Sequence, residues 1–327
     1  MGKPQLAKSE LVAELPIACA TEAAAVEFLE RKRWGVNGER AACPCCGSVD
    51  VYAMKDRKTG ARSSRFLWKC REKECAKMFT VRTGTIYAES LIPLHKWLRA
   101  MWEAASAKNC VSALEMSRKL ELSYKSTLFL MHRIRHAMAE GPDSPKLEGT
   151  IEADETYVGG KPRIPYKASK NKRTMQRITR KKWSSKVPVF AVIQRDGGVR
   201  AQVMPKVTAN NIREALIECA EPSSRLMTDQ ATVYNNVGKP FASHERVNHS
   251  IKEYARGDVN TNSIESFFAR IKRGINGTFH AVSKEHLHRY VDGFAFMYNT
   301  RELNDGERTL DLLRRVEGKR LMYKQPA

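Results

Sequence analysis

Apolar residues recur at two different periods along this chain, and the switch between them marks its main boundary. Up to residue 138 the spacing is helical. Thr21-Glu-Ala-Ala-Ala-Val-Glu-Phe-Leu-Glu-Arg-Lys-Arg-Trp34 predicts a short helix. Thr21 suits its N-cap, Glu22 its first turn and Arg31-Lys-Arg33 its far end, where the helix dipole favours positive charge. Leu94, Trp97, Leu98, Met101 and Trp102 predict a second helix, with Pro93 in its first turn. Ser112-Ala-Leu-Glu115 reads as a capping box opening a third, to about Leu120. After a break at Leu122-Ser123, a fourth runs from roughly Lys125 to Met138. The last two fit a helix-turn-helix, the second carrying Lys125, Ser126, Thr127, His132, Arg133 and Arg135.

Beyond Gly141-Pro-Asp-Ser-Pro145 the pattern becomes that of strands. Ile151 to Val158 is the first. Val187-Pro-Val-Phe-Ala-Val-Ile-Gln194 and Val199 to Val203 flank the turn Arg195-Asp-Gly-Gly198 and predict a hairpin. A helix follows from Ala209 to Ala220, a strand from Arg225 to Thr228, and a fifth strand is expected at Arg246 to His249. Helices from about Asn262 and Ser283 close the region. Strand, hairpin, helix, strand, helices is a mixed α/β order, the succession of ribonuclease H-like domains. The expected organisation is an N-terminal helical segment (1–40), a cysteine-rich unit (41–90), a helix-turn-helix-like region (91–141), the α/β domain (147–305) and a C-terminal tail (306–327).

Charge narrows the function. The chain has 327 residues with 57 basic and 36 acidic, a net charge of +21. A polyanionic partner, nucleic acid above all, fits that balance. Residues 161–186 concentrate it, with eleven Lys or Arg and no Asp or Glu. Such a run reads as a phosphate-gripping insertion, and Lys170, Lys172, Arg173, Arg180, Lys181 and Lys182 are its candidate DNA contacts. The N-terminus lacks the apolar core of a signal peptide and no apolar run approaches a membrane span, so the expected compartment is the cytoplasm, on the nucleoid, with no membrane partner.

Five of eight cysteines fall between Cys43 and Cys75. Cys43-Pro-Cys-Cys-Gly47 has the form of a Cys-Pro-x-Cys-Gly knuckle, whose turn presents two thiolates to one ion. Cys70 and Cys75, four residues between them, would complete a closed structural zinc site. Cys45 competes with Cys43 and Cys46 as a ligand. Three carboxylates, Asp154, Asp229 and Glu265, lie in or near the predicted strands and helix ends. Carboxylates gathered at one sheet edge suit a pair of magnesium or manganese ions, and paired ions cut and join phosphodiester bonds. Asn262-Ser-Ile-Glu265 reads as a helix cap, putting Glu265 in the first turn and Lys272 two turns along the same face. Strand alternation gives Glu152 the facing of Asp154, as a group supporting it, with Glu155 a rival carboxylate. His249 and His280 are candidate DNA or ligand-orienting groups.

The segments Glu152-Ala-Asp-Glu-Thr-Tyr-Val-Gly-Gly-Lys161, Thr228-Asp-Gln-Ala-Thr-Val-Tyr234 and Asn260-Thr-Asn-Ser-Ile-Glu-Ser-Phe-Phe268 carry a resemblance. So do Lys-Arg-Gly at 272–274, Gly-Thr-Phe-His at 277–280, Tyr-Asn-Thr-Arg at 298–301 and Phe79-Thr-Val-Arg-Thr-Gly84. Together they resemble bacterial insertion-sequence DDE transposases that join an N-terminal zinc ribbon to an ISXO2-like domain. The resemblance implies a ribonuclease H-like fold with Asp154, Asp229 and Glu265 as ligands of two Mg²⁺ (or Mn²⁺), and one structural Zn²⁺. The 35 residues between Asp229 and Glu265 are close to the family's interval. Some relatives carry Asn at the third position, and Glu265 here favours an active enzyme. It implies cleavage at the element's ends and attack of the freed 3′-hydroxyl on target DNA, by a homodimer or larger assembly on double-stranded DNA. Lys272, Arg273, His280, Lys125 and Arg133 are further candidate DNA contacts. The alternatives are a nuclease without strand joining and a DNA-binding regulator with an inactive catalytic domain.

Neutralising several lysines between Lys167 and Lys182 should weaken DNA binding and flatten the salt dependence of Kd, by about one unit of slope for each phosphate no longer neutralised. Binding isotherms across a salt series check this, and an unchanged slope would remove the insertion from the interface.

Overall fold

The computed structural model describes residues 10–141, 143–159, 186–247 and 255–323. They form two compact units, one running through Met138 and resuming at Glu302, the other spanning Ala139–Arg301.

The first unit begins with helices α1 (Glu10–Ala18) and α2 (Glu22–Trp34). Thr21 caps α2 as expected, its hydroxyl accepting from the Ala24 N–H at 3.2 Å. A small antiparallel sheet follows, β1 (Val51–Ala53), β2 (Trp68–Cys70) and β3 (Met78–Phe79). Three strands this short bury little, so the sheet leans on aromatic packing. Trp34 of α2 meets Trp68 and Phe79 edge-on at 5.4 and 5.8 Å between ring centroids. The buried Glu30 carboxylate takes the Trp68 Nε1–H at 2.9 Å and both nitrogens of the Arg62 fork at 2.6 Å. Helix α3 (Leu94–Ser106) buries Leu94, Trp97, Leu98 and Met101. Helices α4 (Ala113–Leu120) and α5 (Tyr124–Met138) form the expected pair, with Ser112 accepting from the Glu115 N–H and Glu121 turning the chain at φ 52°.

The region expected as a C-terminal tail is instead structured. Helix α9 (Asp305–Arg314) has a complete capping box between Asn304 and Glu307, and buries Leu312 and Leu313. Arg308 donates to the Ala105 carbonyl at the end of α3. Beyond α9 the backbone pairs with residues after the ribbon: Ile86 N–H donates to Val316 O, and Gly318 N–H to Gly84 O.

The second unit is built on a five-stranded mixed sheet of order β6-β5-β4-β7-β8. These are β4 (Thr150–Val158), β5 (Val187–Gln194), β6 (Val199–Val203), β7 (Arg225–Asp229) and β8 (Ser243–Val247). β4, β5 and β6 pair antiparallel; β7 joins β4, and β8 joins β7, in parallel. This is the expected ribonuclease H-like arrangement. The β4–β6 run sits where the apolar pattern predicts. The fifth strand starts three residues earlier than expected, and residues 248–254 lie outside those described. Helix α6 (Ala209–Cys219) covers one face through Ile212, Ala215 and Leu216, which pack on Ile151, Ala153, Phe190, Val192 and Leu226. The short hairpin β9 (Ala255–Arg256) and β10 (Val259–Asn260) leads into helix α7 (Asn262–Gly274). A π-type turn, Ile275–Phe279, and a short 3-10 turn at Lys284–His286 precede α8 (Leu287–Asn299). The helix expected from Ser283 therefore begins its α-helical part at Leu287.

Helix α7 ends where the Phe294 ring of α8 lies against Gly274: a Cβ there would fall 2.3 Å from the ring. Phe294 is buried and has no room to withdraw. Gly274→Ala gains helix propensity of about 1 kcal/mol, but the overpacking should outweigh it. A net destabilisation of about 1–2 kcal/mol is expected, read as an earlier urea or thermal unfolding transition. Unchanged unfolding would mean that α7 and α8 can slide apart at this point.

Candidate metal centres

Two groups of ligand-type side chains stand out, one in each unit. In the first unit the sulfurs of Cys43, Cys46, Cys70 and Cys75 all lie within 4.8 Å of one another, and among the described residues no other such group of three or more is found. The knuckle turn makes this possible: Gly47, at φ 75°, lets its N–H return to the Cys43 carbonyl at 2.9 Å. Cys43–Cys75 and Cys46–Cys70 sulfurs are each 3.7 Å apart. A tetrahedron with Zn–S bonds of about 2.3 Å has edges of about 3.8 Å, so the donor set fits zinc closely. Burial opposes ionisation of Cys43, but the N–H groups of Cys46 and Cys45 prevail and hold its thiol down to about 7. Cys75 receives a favourable Lys77 N–H; burial and the neighbouring sulfurs outweigh it and push its thiol up to about 12. The Cys43 thiolate forms readily while Cys70 and Cys75 resist, the charge problem that a bound cation relieves. Cys45 is exposed and outside the group, with the Lys77 ammonium 3.0 Å from its sulfur.

In the second unit, the β4–β7 ladder ends at the pair Glu152–Met227. Two residues further along each strand stand Asp154 and Asp229, on the same side of the pleat. Glu265 comes from the first turn of α7. Asp154 lies close enough to the other two to feel their charges. Asp154 is pushed up to about 7, first by burial, against a hydrogen bond from the Glu155 N–H, and then by the charges of Glu155, Asp229 and Glu265. The Asp229 carboxylate accepts the Ala231 N–H at 3.0 Å. Their oxygens do not crowd as the cysteine sulfurs do. Two ions about 3.5–4 Å apart need only a shared central ligand and one further carboxylate each, and all-oxygen donors suit magnesium or manganese.

Glu155 is drawn away from this cluster. Its side chain follows the opposite face, where the buried Tyr234 hydroxyl donates to its Oε2 at 2.6 Å. Glu152 is fully buried on the Asp154 side. Its carboxylate accepts the backbone N–H groups of Ser263 and Ile264 at 2.9 and 3.1 Å, the Ser263 hydroxyl at 3.0 Å and the Arg195 Nε–H at 2.9 Å. The expected Asn262 cap is therefore corrected: the N-cap position is Thr261, which makes no side-chain cap, and a distant carboxylate holds the helix end. From sequence, Arg195 is only a turn residue and Tyr234 carries no chemistry.

The candidate DNA contacts divide. Lys272 and Arg273 are exposed on α7, and His280 is exposed beyond it. Lys272, His280 and Lys284 line an open cleft with Tyr157 and Lys186, beside the end of β4. Lys125 is exposed at the start of α5. Arg133 is a correction. It is buried, donates to the Ala88 carbonyl, and lies over the Trp97 and Phe129 rings at 5.6 and 5.5 Å, so it packs the core of the first unit. Thr127, His132 and Arg135 of the same helix are buried too. Lys170, Lys172, Arg173, Arg180, Lys181, Lys182 and His249 lie outside the described residues. Among those described, no helix is long and apolar enough to cross a membrane.

Residues 146–299, which contain the carboxylate cluster, match the ISXO2-like transposase domain, and residues 20–78, which contain the four cysteines, match the transposase zinc-ribbon domain. The chain belongs to the insertion-sequence transposases that combine these two domains. It is similar, at 29% identity over 278 residues, to a Halobacterium salinarum protein described as an uncharacterized protein in transposable element ISH50. That alignment covers 84% of this chain and 90% of the relative.

Purified protein should carry one zinc per chain by elemental analysis. Cys45→Ser should leave that content unchanged, whereas Cys75→Ser should lower it and loosen the ribbon, since structural zinc contributes folding energy. Equal zinc loss in both variants would overturn this assignment of ligands.

Proposed function

We propose that this transposase binds the ends of its insertion sequence, cleaves them, and joins the 3′ ends to target DNA. The observation that carries the reading is the gathering of Asp154, Asp229 and Glu265 from two strands and a helix, closely enough that their charges help raise the Asp154 carboxyl to about 7. Such a cluster is unfavourable by itself and favourable around divalent cations. When bound, the ions supply Lewis-acid activation of the attacking oxygen and neutralise charge at the scissile phosphate. Asp154, central in the set, is suited to be the shared ligand, with Asp229 and Glu265 on either side.

The rest of the chain positions DNA. Lys272 and Lys284 supply cations, and His280 a ring that can hydrogen-bond, in the cleft beside the end of β4, where a phosphate backbone would lie. Glu265 and Lys272 are both exposed on α7, so one rigid helix carries a carboxylate for the metals and an ammonium for the strand being cut. The zinc ribbon, together with the exposed start of α5 at Lys125, is assigned to recognition of the element's ends. A pair of ends must be held together for joining, which favours a homodimer or larger assembly on DNA.

Incubating the protein with terminal DNA, a target plasmid and Mg²⁺ should give cleaved and joined products. Asp154→Asn and Glu265→Gln should each lower both by at least about 100-fold, as loss of a group acting in the transition state does, while DNA binding by gel shift persists. Joining by Glu265→Gln at the wild-type rate would remove that residue from the site. Binding without cleavage by the wild-type chain would point to a regulator, and cleavage without joining to a nuclease.

A further inference from the structure

Glu152 is a charged side chain with no exposed surface, sitting two residues before Asp154 on the same face of β4. A carboxylate is not left in such a place without full compensation. Its compensation comes from two directions. One is the N-terminus of α7, whose Ser263 and Ile264 N–H groups and Ser263 hydroxyl all point at it. The other is Arg195, at the turn between β5 and β6. Arg195 reaches further, donating to the Asp258 and Asn260 carbonyls at 2.7 and 3.1 Å, on the hairpin that leads into α7. One carboxylate and one guanidinium thus tie β4, the β5–β6 turn, the β9–β10 hairpin and α7 into a single joint.

The joint grips the backbone one residue before Glu265. Thr261, where α7 starts, gives the helix no side-chain cap of its own, so Glu152 is the anion that the helix end receives. We infer that Glu152, held by Arg195, is a positioning residue for metal binding: it sets the separation between Asp154 and Glu265 by docking the first turn of α7 onto β4. The inference rests on the proposed carboxylate metal site. It assigns Glu152 no contact with DNA or metal. Its effect reaches the reaction only through where Glu265 stands.

The test uses the full-length, zinc-loaded chain and Mn²⁺ as the probe, with binding followed by loss of the free-ion electron paramagnetic resonance signal. Glu152→Gln keeps the shape and one acceptor oxygen but removes the charge and sets an NH₂ group against donors, either the helix N–H groups or Arg195 Nε–H with the Ser263 hydroxyl. Expected are Mn²⁺ affinity weakened by about 10-fold or more, faster hydrogen exchange in peptides spanning 261–268, an unchanged Kd for terminal DNA, and a cleavage rate that falls at saturating DNA without a rise in KM. A residue that merely stabilised the unit would change the melting temperature without this split. Ser263→Ala removes a single bond of the joint, and should shift Mn²⁺ affinity and exchange the same way by less. It decides the matter should Glu152→Gln fail to fold. Wild-type Mn²⁺ affinity and wild-type exchange in a folded Glu152→Gln, or in Ser263→Ala where only that variant folds, overturn the inference. Asp154→Asn is the control. Mn²⁺ binding unaffected by Asp154→Asn would overturn the metal site itself, and the positioning role with it, a signature distinct from failure of the joint alone.

Discussion

The second unit is organised by the need to satisfy one buried carboxylate. Glu152 lies on the central strand with no access to water, and its neighbours along the strand face are the residues expected to do chemistry. Removing one partner of such a buried ion pair costs about 3–5 kcal/mol, because the other charge is left without solvent or counterion. The arrangement of Arg195, the hairpin before α7 and the first turn of α7 is therefore strongly fixed. A helix N-terminus carries roughly half a positive charge, so Glu152 is offered one full and one partial cation, a balance that needs no water. An apolar residue at this position would leave the helix end without its anion, and the guanidinium with carbonyl acceptors but no counter-charge here.

The two candidate metal centres treat the same electrostatic difficulty in different ways. In the ribbon, four sulfurs are pressed to tetrahedral spacing, and the backbone N–H groups of the knuckle favour one of them as thiolate. The geometry is closed around one ion. In the α/β unit, the carboxylates come from three separate elements and stand further apart, and burial discourages Asp154 from ionising. Those donors do not close around a single point as the sulfurs do. A closed thiolate site holds a fold together, while an open carboxylate site leaves coordination positions for a substrate phosphate.

What the sequence disclosed follows the range of the interactions involved. Strands β4 to β6 were legible because Val187–Gln194 is a run of apolar, largely β-branched residues ending at a Gly-bearing turn. The cap of α4 was legible because Ser112 and Glu115 are three residues apart. The cysteine set was legible from spacing, though the exclusion of Cys45 needed the path of the backbone. The cap of α7 was not, because its real partner is 111 residues away, whereas Asn262 offered a convincing local substitute. Arg133 misleads for a related reason: the Trp97 ring that accepts it comes from another helix, and a basic residue looks the same in sequence whether it faces DNA or a tryptophan. Helix α9 had a readable signal in Asn304-Asp-Gly-Glu307, a local capping box that the expected C-terminal tail (306–327) leaves out.

The return of the chain to its first unit after Arg301 has a consequence for synthesis. Leu312 and Leu313, and the backbone bonds from Ile86 and Gly84 to residues 316–318, emerge from the ribosome only after the whole α/β unit has been made. The α/β unit is continuous and can fold as it appears. The unit carrying the ribbon and helix pair must wait, part-built, with an uncovered apolar face. A nascent chain thus completes its carboxylate-bearing part first, and its zinc-bearing unit closes later, once residues 302–318 have been made.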